Sequence, residues 1–186
     1  MKANKPYVIG ITGGIASGKS GVSSFLRELG EKVVIADEVA RLAQKELKDE
    51  IIAAFGTEIT DSEGEIDRAR LRDIVFNDEE ALDRLNKLMH PKILSMLKEE
   101  IDNFDGKRIF LEVPLLFETG FQKACDKTWC VYTGEEEQKR RLMKRDNLDE
   151  ELAEKIIASQ LSEEKRLSLS DERICSLYER ENTRQQ

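Results

Sequence analysis

The chain has 186 residues, 39% hydrophobic and 37% charged, which is enough apolar material for one α/β domain carrying a helical insertion. A formal net charge of -8 argues against DNA or RNA as a bulk partner, because phosphate backbones would be repelled. An anionic small molecule remains open, since it responds to the local site. The start, MKANKPYVIGITGG, lacks the apolar core of a signal peptide and no apolar run reaches spanning length, so a cytoplasmic protein with no membrane partner is expected.

Tyr7–Thr12 (YVIGIT) is a short apolar run bounded by Pro6 and Gly13-Gly14, the signature of a buried parallel strand. From Gly18 to Leu29, Val22, Phe25, Leu26 and Leu29 recur at helical spacing, closed by Gly30. Lys32–Ala36 (KVVIA) predicts a second buried strand ending at Asp37, and Glu38–Phe55 a helix. Strand, glycine loop, helix, strand opens a doubly wound α/β fold. Thr57–Gly64 is turn-like. Asp67–Phe76 and Asp78–Ile101 predict charged amphipathic helices, the second broken at His90-Pro91 because the residue before proline disfavours helix.

Arg108–Val113 (RIFLEV) restores a strand, and Asp126–Val131 predicts another with Trp129 and Val131 on one face. Glu135–Asp146, Asp149–Gln160 and Ser162–Leu169 read as helices, and Arg173–Leu177 as a last short strand. The expected organisation is a single domain. Its core covers about 1–60, 106–134 and 168–178, with an insertion over about 61–105 and a lid over about 135–167. The cysteines Cys125, Cys130 and Cys175 lack zinc-site spacing and are expected to be reduced thiols.

Gly13-Gly14-Ile15-Ala16-Ser17-Gly18-Lys19-Ser20 matches the phosphate-loop pattern G-x-x-x-x-G-K-[ST] at every fixed position, between a strand and a helix. Gly13 and Gly18 permit the backbone angles that turn successive N–H groups toward a phosphate. The helix that follows adds its positive end. Lys19 supplies a mobile cation for β- and γ-phosphates, and the Ser20 hydroxyl is placed to ligate Mg²⁺. These residues together with Gly21 form the expected ATP site.

A guanine-reading NKxD is absent from the sequence, and so is an apolar run ending in Asp-Glu, which disfavours a GTPase switch or a larger ATPase. A small kinase needs a carboxylate to orient an acceptor hydroxyl and arginines to meet the transferring charge. Asp37, at the carboxyl edge of the second strand, is the candidate carboxylate, with a helix N-cap as its competing role. Arg141 and Arg145 share one helix face and together form a candidate phosphate clamp, against which salt bridges to Glu137 and Asp146 compete.

The segments TGGIASGKS, IADEVAR (Ile35–Arg41), DRARLRDIVF (Asp67–Phe76), LMHPKI (Leu88–Ile93), VPLLFE (Val113–Glu118), RLMKRD (Arg141–Asp146) and QLSEEKR (Gln160–Arg166) occur in one order. In this order they resemble the dephospho-CoA kinase family, over roughly residues 8–171. The resemblance implies a P-loop kinase three-layer fold and ATP with Mg²⁺ as cofactors. It further implies phosphorylation of the ribose 3′-hydroxyl of dephospho-CoA, with Asp37 as base or orienting carboxylate. Lys19 and Arg141 would assist catalysis, Arg145 would bind ATP, and Arg68, His90, Pro114, Leu115 and Glu118 would line the acceptor side. His90 competes with a plain helix-cap role, the leucines of VPLLFE with core packing, and Glu112 is a further candidate near the metal shell.

Three positions depart from the family's pattern. Ile35 stands where a second acid is common and Gly21 where threonine is usual, while the tail Asp171–Tyr178 lacks an apolar strand, with Arg173 at an aliphatic position. Another small-molecule or nucleoside monophosphate kinase, and a nucleotide-binding module of impaired activity, remain the alternatives.

Overall fold

A computed structural model describes residues 5–177 together with 183, 185 and 186. Five strands, β1 (Tyr7–Thr12), β2 (Lys32–Ile35), β3 (Arg108–Glu112), β4 (Lys127–Tyr132) and β5 (Glu172–Cys175), pair in parallel in the order β2-β3-β1-β4-β5. The central strands are buried almost throughout, as parallel strands covered on both faces must be. The crossover through α1 (Lys19–Glu28) leads from β1 toward one sheet edge. The crossover through α6 (Glu135–Asp146), α7 (Glu150–Ala158) and α8 (Glu163–Leu169) leads from β4 toward the other. Right-handed crossovers in opposite directions place α1 and the α6–α8 group on opposite faces, which gives the three-layer α/β fold.

On the α1 face, Val22 and Leu26 pack with Ile9, Ile11, Val33, Phe110 and Val131, and Trp129 joins Val131 there as its strand periodicity predicts. On the other face the glycine in β1 is required by close approach. A Cβ on Gly10 would sit 2.8 Å from Cys125 Sγ and 3.0 Å from a Leu116 methyl. Leu116 is completely buried. Leu116→Ala is expected to cost about 3 kcal/mol of unfolding free energy, read from the urea midpoint. A loss below about 1 kcal/mol would mean that this face collapses around the gap.

The chain forms two compact units, one taking the chain up to Ile35 and again from Ile101, the other Ala36–Glu100. The helical unit therefore begins at Ala36, upstream of the insertion expected from position 61. Within it lie α2 (Ala36–Glu46), α3 (Lys48–Phe55), α4 (Arg68–Asn77) and α5 (Glu79–Asn103); α3, the turn Thr57–Ile59, α4 and α5 supply a core of Ile51, Phe55, Ile59, Leu71 and Ala81. Asp67 caps α4 by accepting the Ala69 and Arg70 N–H groups.

Several expected boundaries are corrected. β2 ends at Ile35, and α2 already begins at Ala36, so Asp37 lies inside the helix's first turn and is not its N-cap. The helix expected over Glu38–Phe55 divides at Leu47, which packs on the Ile51 core with non-helical angles of φ -95° and ψ 17°. The break expected at His90-Pro91 does not occur: α5 is continuous with Pro91 inside it. Proline there forfeits one helical hydrogen bond and crowds the preceding turn, at about 3 kcal/mol. Leu85, Leu88 and Met89 before it pack on the core, and Leu97 and Ile101 beyond it are buried, at about 2 kcal/mol each, so packing prevails. His90 is thus mid-helix, and the cap role is excluded.

The last strand forms in spite of Arg173. β5 is an edge strand, so Arg173 is exposed there while its backbone pairs with Cys130. Asp171 fastens the strand's start, its carboxylate accepting the Thr128 N–H and hydroxyl at 2.7 Å each. Tyr178, which ends the atypical tail, lies outside the described residues.

Candidate active site

The loop from Gly13 to Ser20 joins the end of β1 to the first turn of α1. Gly18 takes a left-handed conformation (φ 96°) as the residue before the helix, where a Cβ would also stand 2.7 Å from Ser176 Oγ. At Gly13 the constraint is space, because a Cβ would collide with the Val131 carbonyl oxygen and with Ser17 Oγ. Ala16 is left-handed too (φ 58°), a strain of about 1 kcal/mol held within the loop.

Lys19 folds back over this loop, Nζ donating to the Gly13 oxygen at 2.9 Å and the Gly14 oxygen at 2.8 Å. Ser20 is exposed at the start of α1. Gly21 is exposed, and a Cβ there would meet nothing within 4 Å, so the glycine answers no packing demand.

Arg141 reaches the loop from α6. Its guanidinium donates to Glu137 Oε1 at 2.7 Å, to Ser176 Oγ at 3.1 Å and to the Ser176 oxygen at 2.6 Å, and Ser176 Oγ donates to the Ser17 oxygen. Arg140 also engages Glu137, and these arginines, Arg140 foremost, hold the carboxyl down at about 2. Arg145 instead pairs with Asp146 at 2.7 Å on the surface. Of the two arginines expected to clamp phosphate together, only Arg141 stands against the loop.

The resemblance read in the sequence holds over nearly the whole chain. The family profile for dephospho-CoA kinase matches residues 7–176. A dephospho-CoA kinase from Fusobacterium nucleatum is 48% identical over 166 residues, 88% of this chain and 86% of its own. The chain belongs to the dephospho-CoA kinase family. Among solved structures, a Thermus thermophilus protein superposes with a TM-score of 0.85 at 33% identity, covering 97% of this chain and 93% of its own. The dephospho-CoA kinase from Campylobacter jejuni does so with 0.69 at 30%, covering 98% and 94%. The fold is accordingly that of a P-loop kinase, and ATP is the phosphoryl donor of a kinase in this family.

The remaining residues matched to the dephospho-CoA kinase pattern fall into two groups. Beyond β3, Pro114 is half-buried and its oxygen accepts the Thr12 hydroxyl at 3.1 Å, which ties VPLLFE to the strand that feeds the loop. Leu115 and Glu118 are exposed beside it while Leu116 is core, so core packing holds for Leu116 and not for Leu115. In the helical unit, Asp37 is exposed and its carboxylate has no hydrogen bond among the described residues. Arg68 is exposed and donates to Gln44 at 3.0 Å, and His90 is half-buried on α5.

No cluster of three or more His, Cys, Asp or Glu side chains suited to a metal occurs among the described residues. A metal here would lean on phosphate oxygens with one or two side-chain oxygens, the pattern of Mg²⁺. Ser20 Oγ fits that role. Glu112 adds a carboxylate, 5% exposed at the end of β3, whose Oε2 has no partner among the described residues. No helix among the described residues is long and apolar enough to cross a membrane, and all three cysteines are free.

Sequence reasoning missed several side chains on the loop, Gln138 against Gly14 and Ser176 against Gly18 among them, and two others within one motif. Gln160 Oε1 accepts the Ile15 N–H at 2.9 Å. Arg166 is buried with Nη1 3.2 Å from where a Cβ on Gly14 would stand. The only sign of either was their place in QLSEEKR.

Proposed function

We propose that this chain transfers the γ-phosphoryl group of ATP to the ribose 3′-hydroxyl of dephospho-CoA, giving coenzyme A and ADP. The observation that carries the reading is the glycine loop with the Lys19 ammonium held over the Gly13 and Gly14 carbonyls, in a chain of this family. On nucleotide binding, the loop's N–H groups grip phosphate oxygens and Lys19 exchanges those carbonyls for oxygens of the β- and γ-phosphates.

The acceptor oxygen attacks the γ-phosphorus, and the bond from that phosphorus to the bridging oxygen breaks, leaving its electron pair on ADP. The acceptor's proton passes to Asp37, whose place two residues past the end of β2 and whose carboxylate, without a hydrogen bond among the described residues, support the role. Arg141 balances charge on the β-phosphate side, beside Gly18. Arg68, His90, Pro114, Leu115 and Glu118 contact the acceptor in this reading. Ser20 would hold Mg²⁺, with Glu112 a carboxylate near its shell, and the ion would supply neutralisation of the triphosphate's charge. The three free thiols support a reducing, cytoplasmic setting.

ADP release measured with dephospho-CoA, nucleoside monophosphates and pantetheine compounds tests the assignment. Turnover is expected with dephospho-CoA alone. Faster release with a nucleoside monophosphate would make this another small kinase, and none with any acceptor would leave a nucleotide-binding module.

A further inference from the structure

Arg166, on α8, is only 2% exposed, yet among the described residues no carboxylate lies within ion-pairing distance and its Nε has no partner. The guanidinium's one hydrogen bond among the described residues is long, Nη2 donating to Gln160 Oε1 at 3.4 Å. A buried guanidinium left this way is costly, and burial pushes it down from its ordinary value. Glu118, Cys130 and Glu163 offset part of that cost through space, but none of them pairs with the guanidinium. Glu163 accepts the Thr133 and Gly134 N–H groups at 3.1 Å each, Glu118 is exposed, and burial keeps the Cys130 thiol protonated.

The other arginines of the α6–α8 group are engaged elsewhere, Arg140 and Arg141 with Glu137 and Arg145 with Asp146. The unpaired guanidinium stands with the Gln138 amide against Gly14, one of the two residues whose carbonyls hold the Lys19 ammonium. That ammonium is the group which meets the β- and γ-phosphates. The location corresponds to the terminal end of a bound triphosphate.

Gln160 Oε1 occupies the same spot. It takes the Ile15 N–H at 2.9 Å and faces the Arg166 guanidinium, so one neutral amide oxygen bridges a loop amide and a buried cation. A phosphate oxygen would satisfy the same two donors with a full negative charge, and charge-assisted bonds are roughly twice as strong as neutral ones. We propose that Arg166 and the Ile15 N–H form a binding pair for the γ-phosphate, and that Gln160 Oε1 holds the place of a phosphate oxygen until ATP displaces it. The inference rests on the nucleotide-binding reading of the loop and adds the residues that would tell ATP from ADP.

The test uses the full chain and compares wild type with Arg166→Met, Arg166→Lys and Gln160→Leu. Thermal midpoints without nucleotide and calorimetric Kd values for ATP and ADP are measured. Arg166→Met is expected to weaken ATP about 30-fold and ADP less than about 3-fold, the loss of one buried charge-assisted contact, with a midpoint no lower than wild type because a buried unpaired charge is gone. Arg166→Lys keeps the charge without the fork and is expected to weaken ATP about 5-fold.

Gln160→Leu removes the competing oxygen and is expected to tighten ATP about 3-fold while lowering the unliganded midpoint, since Ile15 N–H then lacks its acceptor. A lowered midpoint with unchanged ATP affinity in both arginine variants would make Arg166 a structural cation and overturn the proposal. Weaker ATP binding in Gln160→Leu would overturn the stand-in role. Wild type that binds neither nucleotide would instead remove the nucleotide-loop reading beneath both.

Discussion

Lys19→Ala is expected to lower kcat/KM for ATP by about 10³-fold, two lost charge-assisted hydrogen bonds at about 2 kcal/mol each. Nζ holds two loop carbonyls, at 2.9 and 2.8 Å, and the same three-donor head can swing from them to phosphate oxygens with little rearrangement. Binding and chemistry should both suffer, because the cation meets charge that is present in ATP and grows on the leaving oxygen. Lys19→Arg should not restore the rate. A planar fork in a site shaped by glycines brings bulk and the wrong geometry. Initial rates over a range of ATP concentrations give the answer, and activity within about threefold of wild type in Lys19→Ala would contradict the phosphate-loop assignment.

The features visible in the sequence are those set by neighbours along the chain. The phosphate loop is eight consecutive residues between a strand and a helix, and the α6 bounds follow from a glycine before the helix and an asparagine after it. The competing partners of Arg141 and Arg145 were also visible, since Glu137 lies four residues before Arg141 and Asp146 directly follows Arg145. Features set by distant parts of the chain were not. Pro91 looks like a break until its flanking leucines are seen to pack, and Arg173 looks incompatible with a strand until β5 proves to be at the sheet edge. Arg166 is the sharpest case. Nothing in EEKRLSL distinguishes a solvated arginine from one buried against a glycine loop some 150 residues upstream; burial is a property of the crossover that returns the chain over β4.

Asp37→Asn separates binding from chemistry. The exchange keeps the side chain's size, and it removes a negative charge from the first turn of α2, where the helix dipole favours it by about 0.5 kcal/mol, so stability should barely change. ATP affinity should stay within about twofold, because the phosphates are held by the loop and the carboxylate would touch only the acceptor. Turnover with dephospho-CoA should fall about 10² to 10³-fold, since an amide can neither accept the hydroxyl proton nor hold it against the growing bond. Slow hydrolysis of ATP without acceptor should persist at the wild-type rate, which distinguishes a lost acceptor base from a damaged nucleotide site. Ile35, standing where a second acid is common in the family, offers no carboxylate at that position to compensate. Turnover equal to wild type would remove Asp37 from the mechanism and pass the role of base to another carboxylate, with Glu112 and its unpartnered Oε2 the first to substitute, as Glu112→Gln.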